Sequence, residues 1–391
     1  MLCLLLADLE STRWLGPILA LGVATMLAAA FTLLPAMLSL LGGRAFWPGR
    51  ARSMPGTAVW ERVADLVRRR ARLLVGVISA GLAVLALGNA VSHDTLGFGQ
   101  DLPSSADSTK GTEIFNRHFT PGLTSPLPVV VPSDDATRAL EVLEEVQGVA
   151  YAAPAPTQAD RSLIIAVLDT DPWTQPAMDV VERMRRAVSQ VAPGVAVGGV
   201  PAENVDIENT NDRDTRLIIP VVLAIVFLIL CVSLRALVAP LYLIVTVVAS
   251  FFATLGLVTV LFTKVLGEPG LTYNLTLLAF IFLVALGVDY NIFLMHRARE
   301  EADAHGTVAG VRRALVTTGS VVTGAGVILA GTFATLTLLP LLELVQIGAT
   351  VALGVVLDTF VVRALLVPSI TELAGDRAWW PGRVGAGARS G

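Results

Sequence analysis

Charge is what this sequence has least of. Only 15% of its 391 residues are Asp, Glu, Lys or Arg, while 54% are hydrophobic, against about a quarter charged in an ordinary soluble domain. Mean hydropathy is +0.70. Such a composition excludes a water-soluble globule. Cysteine is nearly missing: Cys3 and Cys231 both lie in apolar segments, which argues against a disulfide framework and a thiolate metal site. The four histidines, at 93, 118, 296 and 305, are scattered. No HExxH, GxSxG or GxxxxGK(S/T) occurs, so nothing points to metal-assisted, serine-hydrolase or nucleotide-driven chemistry. The chain reads as a non-enzyme with no metal, cofactor or nucleic-acid partner, and any work it does must draw on a gradient or a partner. The opening MLCLLLADLE has no basic start and meets acids after a short apolar run. It is not a signal peptide and reads as the stub of a helix whose beginning is missing.

What the sequence does have is long apolar runs. Seven of them, roughly 15–41, 72–92, 217–235, 239–262, 274–295, 314–338 and 344–371, have the length a membrane helix needs, about 20 residues. Arginine sorts the connections. Eight arginines fall between Arg44 and Arg72, with more at Arg235, Arg297, Arg299, Arg312, Arg313, Arg377 and Arg383. Alternate threading puts all of them on the cytoplasmic side. The opposite short loops, near Glu10, Lys264–Glu268 and Glu343, are poor in Arg.

Residues 93–215 form one large extracytoplasmic loop, the size of a small folding unit. PLPVVV (126–131) predicts a strand, and DDATRALEVLEEVQ a helix capped near Asp134 or Ser133. A short strand near 149–153, the alternating SLIIAVLD (162–169), the amphipathic MDVVERMRRAVSQV and GVAVGG complete a β-α-β-β-α-β order. That order predicts an α+β ferredoxin-like unit. The expected organisation is therefore 1–41, a helix stub and the last helix of a first repeat; 42–71, an Arg-rich cytoplasmic linker; 72–92, the first helix of a second repeat; 93–215, the porter-like unit; 216–372, a five-helix bundle; and 373–391, a cytoplasmic tail.

The repeat itself is legible. LLPAMLSLLGGRAFWPGR (33–50) aligns without gaps to LVPSITELAGDRAWWPGR (366–383), sharing Pro35/Pro368, Gly42/Gly375, Arg44/Arg377, Trp47/Trp380, Pro48/Pro381 and Arg50/Arg383. The first and last spans are thus equivalent helices of a duplicated architecture.

One span carries an acid. In FLVALGVDYNIFLMHRARE (282–300), Asp289 lies about two turns before Arg297, too deep for a short side chain to reach water. An ionisable group there costs about 2.5–3.5 kcal/mol, and burial and nearby cations pull its protonation in opposite directions. A carboxyl so poised can load and release protons; the bland alternative is a protonated, hydrogen-bonded packing residue. Tyr290 points about 100° away from it on a helix and is suited to relay through its hydroxyl. The span 314–336 has small-xxx-small spacing at Gly319/Thr323, Ser320/Gly324 and Gly326/Ala330, which favours close helix packing. Ser320 or Thr323 could also bond Asp289. Asp358 is a second intramembrane acid, five residues before Arg363, and is open to either a local ion pair or a relay role.

Together GVDYNIFLMHRAREE (287–301), LDTFVVRALLVPSITELAG (357–375), TLLPAMLSLLGGRAFWP (32–48) and DLPSSADSTKGTEIFNRHF (101–119) make the whole chain resemble the MmpL-type transporters of the resistance–nodulation–division superfamily. The resemblance implies twelve spans in two similar halves, each with an external porter domain, of which this chain supplies the sixth to twelfth. It also implies that Asp289 and Tyr290 are the tenth-span half of a proton relay whose fourth-span half is not in this chain. Proton-driven export of lipid-like or hydrophobic molecules across a bacterial inner membrane follows as the expected activity. The lipid bilayer, the substrate and an N-terminal half polypeptide or homologous subunit are the expected partners. The rivals are a non-transporting remnant or assembly partner, and a relative of SecD/SecF, against which the Trp-Pro repeat argues.

Overall fold

The computed structural model describes residues 2–46, 57–91, 94–96, 107–156, 158, 160–382 and 384. A short 3-10 turn, Leu2–Leu6, precedes α1 (Glu10–Leu41) and α2 (Thr57–Ala86). A mixed unit follows: β1 (Asp94–Leu96), α3 (Asp107–His118), β2 (Leu127–Pro132), α4 (Ala136–Glu145), β3 (Val149–Pro154), β4 (Arg161–Leu168), α5 (Gln175–Ser189) and β5 (Ala196–Val197). The remainder is α6 (Val200–Leu234), α7 (Val238–Val260), β6 (Gly270–Thr272), α8 (Leu275–His305), α9 (Thr307–Ala334), α10 (Leu342–Leu357) and α11 (Val367–Ala374). Seven helical stretches among the described residues are long and apolar enough to cross a membrane, and each contains most of one expected span.

Two of these helices begin earlier than their apolar runs. α2 starts at Thr57 and is kinked at Arg70 (φ −131, ψ 27), so the expected linker ends in a basic amphipathic helix whose Ala64, Val67 and Ala71 are buried. α6 starts at Val200, and the expected unit boundary at 215/216 falls inside it. Its polar first half survives as helix because tertiary partners cover it: Asn204, Asn211 and Asp214 are buried. The carboxylate of Asp214 accepts hydrogen bonds from the backbone N–H of Asp8 at 2.9 Å and of Leu9 at 3.1 Å, while Arg213 pairs with Asp8. This clasp holds the start of α1.

In the mixed unit the sheet order is β3-β4-β2-β5, antiparallel throughout. Period-two alternation buries Leu127, Val129 and Val131 against Leu143 of α4 and Val181 and Met184 of α5. The expected cap at Asp134 or Ser133 is not formed: Ser133–Asp135 make a 3-10 turn, and the N-cap position is Asp135, without a side-chain cap bond. β1 and β6 pair in parallel, tying the chain beyond α2 to the start of α8.

The repeat has a structural counterpart. α1 ends at Gly42 (φ 53, ψ −135), whose N–H donates to the Leu38 carbonyl, and α11 ends at Gly375 (φ 55, ψ −139), whose N–H donates to Thr371. Each glycine opens a five-residue 3-10 turn. Positive φ explains the shared glycine. Trp47, Pro48, Arg50 and Arg383 of the repeat lie outside the described residues. The two ends differ in burial: α11 packs into the bundle, whereas in α1 only Thr12 and Gly16 are buried.

Candidate functional site

The polar centre of the bundle forms where α8 passes the junction of α10 and α11. Between those two helices, Asp358–Leu366 is a π-helical segment. In an α-helix, residues five apart would point about 140° from each other. The wider i→i+5 turn brings them to one side, so Asp358 and Arg363 meet as a buried ion pair, 7% and 4% exposed. Arg363 Nη2 also donates to the carbonyls of Leu286 at 3.2 Å and Gly287 at 3.0 Å. A Cβ at 287 would lie in ordinary contact with the pair, 3.6 Å from Asp358 Oδ2 and 3.8 Å from Arg363 Nη2, so this face of α8 packs directly on it.

The Tyr290 ring takes the other side of the cation, with the guanidinium carbon 4.5 Å from its centroid. An arginine over an aromatic face gains about 0.5–2 kcal/mol, most when desolvated. Beside the pair lies a cavity of about 10 Å³ lined by Ser250, Gly287, Tyr290, Asp358 and Arg363, room for a single water. Asp358 Oδ1 and Arg363 Nε are buried there without hydrogen-bond partners among the described residues.

Asp289 sits elsewhere. Two positions after Gly287, it is rotated about 200° from the packed face, and it is exposed on the surface of the bundle. Arg363 acts on it electrostatically, but among the described residues no hydrogen bond reaches its carboxylate. The expected bonds from Ser320 and Thr323 are not formed. Both are half-buried on α9, and the Thr323 hydroxyl has no partner among the described residues. The stripes that carry them serve packing: Gly319 lies under the Trp60 ring and Gly326 against Thr359, while Gly324 faces open space.

The structure thus joins Tyr290, Asp358 and Arg363, sets Asp289 at their edge, and leaves Ser320 and Thr323 apart. Two residues escape the sequence reading. Arg363 was considered only as a local partner, because its contact with Tyr290 spans 73 positions. Asn291 is 1% exposed, and neither amide atom has a partner; an amide inside an apolar run was the signal available.

A family model described as the MMPL family matches residues 1–74 and 100–389. The chain belongs to the MMPL family. It is 42% identical over 389 residues to the membrane protein ActII-3 of Streptomyces coelicolor, covering 97% of this chain and 54% of that one. It is 34% identical over 401 residues to the apo-petrobactin exporter of Bacillus anthracis, covering 93% of this chain and 53% of that one. A shorter match, 40% over 219 residues, links it to the sulfolipid-1 exporter MmpL8 of Mycobacterium tuberculosis, across 54% of this chain and 20% of that one. This MMPL chain therefore spans about half the length of the first two relatives. Among solved structures it shares the fold of a heavy metal efflux pump, with a TM-score of 0.53 at 13% identity, over 81% of this chain and 52% of the pump. It is a multi-pass membrane protein.

Proposed function

We propose that this MMPL chain is one half of a proton-driven exporter of lipid-like or hydrophobic small molecules in a bacterial inner membrane. Asp289 and Tyr290 carry the relay, with Asp358 and Arg363 behind them. The observation that supports this reading is the placement of Asp289, an acid in a membrane helix that its own chain leaves uncovered. Facing lipid, that carboxyl would cost about 2.5–3.5 kcal/mol; facing a second half, it sits on a seam between two bundles. Longer family relatives, two of them named as exporters, fit the same picture. The β-α-β-β-α-β order and the sheet order β3-β4-β2-β5 support reading the mixed unit as a ferredoxin-like porter domain on the outer face. An assembly partner without transport is the second reading, favoured by how fully Arg363 neutralises Asp358 inside this chain.

Proton flux separates the two. The chain is reconstituted in vesicles containing a trapped pH dye, together with the half of ActII-3 that it does not match. The expected result is a flux that Asp289→Asn lowers by about 100-fold, the scale of a lost proton-transfer group. A flux indifferent to Asp289 would leave only the assembly role.

A further inference from the structure

One face of α8 carries Gly287, Asn291 and Met295, each four residues from the next and therefore stacked along the helix. At its upper end, Gly287 meets Asp358 and Arg363. At its lower end, Met295 Sδ lies 3.8 Å from the Thr371 hydroxyl. α8 and the stretch 358–371 run in the same direction, so Asn291 lies between those two contacts, about 6 Å from each along the helix. It is 1% exposed, and among the described residues neither its amide nitrogen nor its carbonyl oxygen has a partner. A buried amide left unbonded costs about 1–3 kcal/mol, and hydrocarbon offers no relief.

Below Asn291 the polar line continues. The Thr371 hydroxyl donates to the Val367 carbonyl at 2.8 Å and shares a 2.7 Å hydrogen bond with the Tyr242 hydroxyl. Thr371 is fully buried, whereas Tyr242 is half-buried four residues into α7. It lies at the end of the bundle that bears Arg235, with its hydroxyl held inward against Thr371. The described residues therefore hold a broken line of polar groups from the Asp358–Arg363 pair to the Arg-bearing end. Along that line Asn291 offers two bonding positions without a partner among the described residues.

We infer that Asn291 holds water that links the Asp358–Arg363 centre to the hydroxyls of Thr371 and Tyr242, forming the proton route between the relay and the Arg-bearing face. Asn291 is a positioning residue: its amide takes one hydrogen bond and gives another, and carries no proton itself. A proton leaving the centre joins the water, which releases one of its own to Thr371. That hydroxyl passes one on to Tyr242 and thence to bulk, each oxygen accepting one proton and losing one. The inference rests on the proton-driven reading for its purpose and for the flux arm of its test, but not for the water-access arm.

The test is water access. In the full chain carrying Cys3→Ser and Cys231→Ser, Asn291→Cys and Thr371→Cys are each exposed to silver ion from the Arg-bearing side, and blocked thiols are counted after denaturation. Both are expected to react at least about tenfold faster than Ala279→Cys, a fully buried apolar position on the same helix, because thiol reactivity follows access. Rates equal to that control at both positions would overturn the route. Flux supplies the second arm. Asn291→Ser, which keeps a polar group and leaves room for water, retains flux, whereas the similarly branched but apolar Asn291→Leu and the hydroxyl-less Tyr242→Phe each lower it by about tenfold or more. A purely structural Asn291 would reverse the order of Ser and Leu. If Asp289→Asn leaves flux unchanged while both cysteines react, the water route stands and the transport reading fails.

Discussion

Asp358 and Arg363 share one buried site with the Tyr290 ring, and what each contributes differs. Removing one member of a buried ion pair strands the other charge, at about 3–5 kcal/mol. Asp358→Asn and Arg363→Gln are therefore expected to lower the melting temperature in detergent sharply. The double change Asp358→Leu with Arg363→Met recovers the melt but not proton flux, because no charge remains to be relayed. A recovered melt with recovered flux would make the pair purely structural. Tyr290→Phe keeps the ring over Arg363 and loses only the hydroxyl, so its melt stays put while any relay through oxygen fails. At this scale the sequence showed the acids plainly, since a carboxylate in an apolar run cannot be overlooked. It hid the π turn that aligns positions 358 and 363, because the extra residue per turn comes from packing and leaves no mark in local propensity. It hid the unpartnered amide of Asn291 for a similar reason: partners are set by neighbouring helices.

Helices in this bundle approach one another through glycine, and the positions are not equivalent. A methyl at Gly256 would come 2.2 Å from the Leu85 carbonyl oxygen, and one at Gly88 would come 2.2 Å from that of Gly256, whereas one at Gly324 meets nothing within 4 Å. Gly256→Ala should thus cost about 1–3 kcal/mol by forcing α2 and α7 apart, with Gly324→Ala neutral as its control in the same thermal assay. Equal effects would mean that the close approach is not tight. In the mixed unit, Arg185 of α5 grips Asp206 of α6 through two bonds, 2.6 and 2.8 Å. That hydrogen bonding raises the Arg185 pKa above its ordinary value, against a smaller opposing effect of burial and with added attraction from Asp206 and Glu182. A cation whose folded pKa is raised contributes fully at every pH below its already strongly basic unfolded value, and loses that contribution only as pH climbs through the folded value. Arg185→Gln should accordingly weaken hydrogen-exchange protection of α5 in the full chain by the same small amount at pH 6 and pH 9, about 1 kcal/mol or less for so exposed a pair. A loss that changed between those pH values would point to another titrating group. Apolar length was enough to locate the spans. The polar first turns of α6 were not legible as helix, since only the burial of Asn204, Asn211 and Asp214 by distant segments stabilises them there.

Across the whole molecule, arginine divides the two ends of the bundle, and the proposed orientation follows from that division. Thr137→Cys, on α4, should accept an impermeant maleimide on intact cells, and Asp303→Cys, near the end of α8, only after permeabilisation. The reverse pattern would invert the topology. The matched glycine ends of α1 and α11 show that duplication was written into the sequence and kept in the backbone, even though one copy is packed and the other is bare. The bareness of α1 has a mechanical side. Its 32 residues lean on almost nothing in their own chain, while its first turn is gripped through the Asp8 and Leu9 amides by Asp214 at the foot of the mixed unit. A stiff rod fixed at one end and free along its length is a lever. Any tilt imposed on it would be delivered, through that one carboxylate, to α6, the helix that follows the mixed unit.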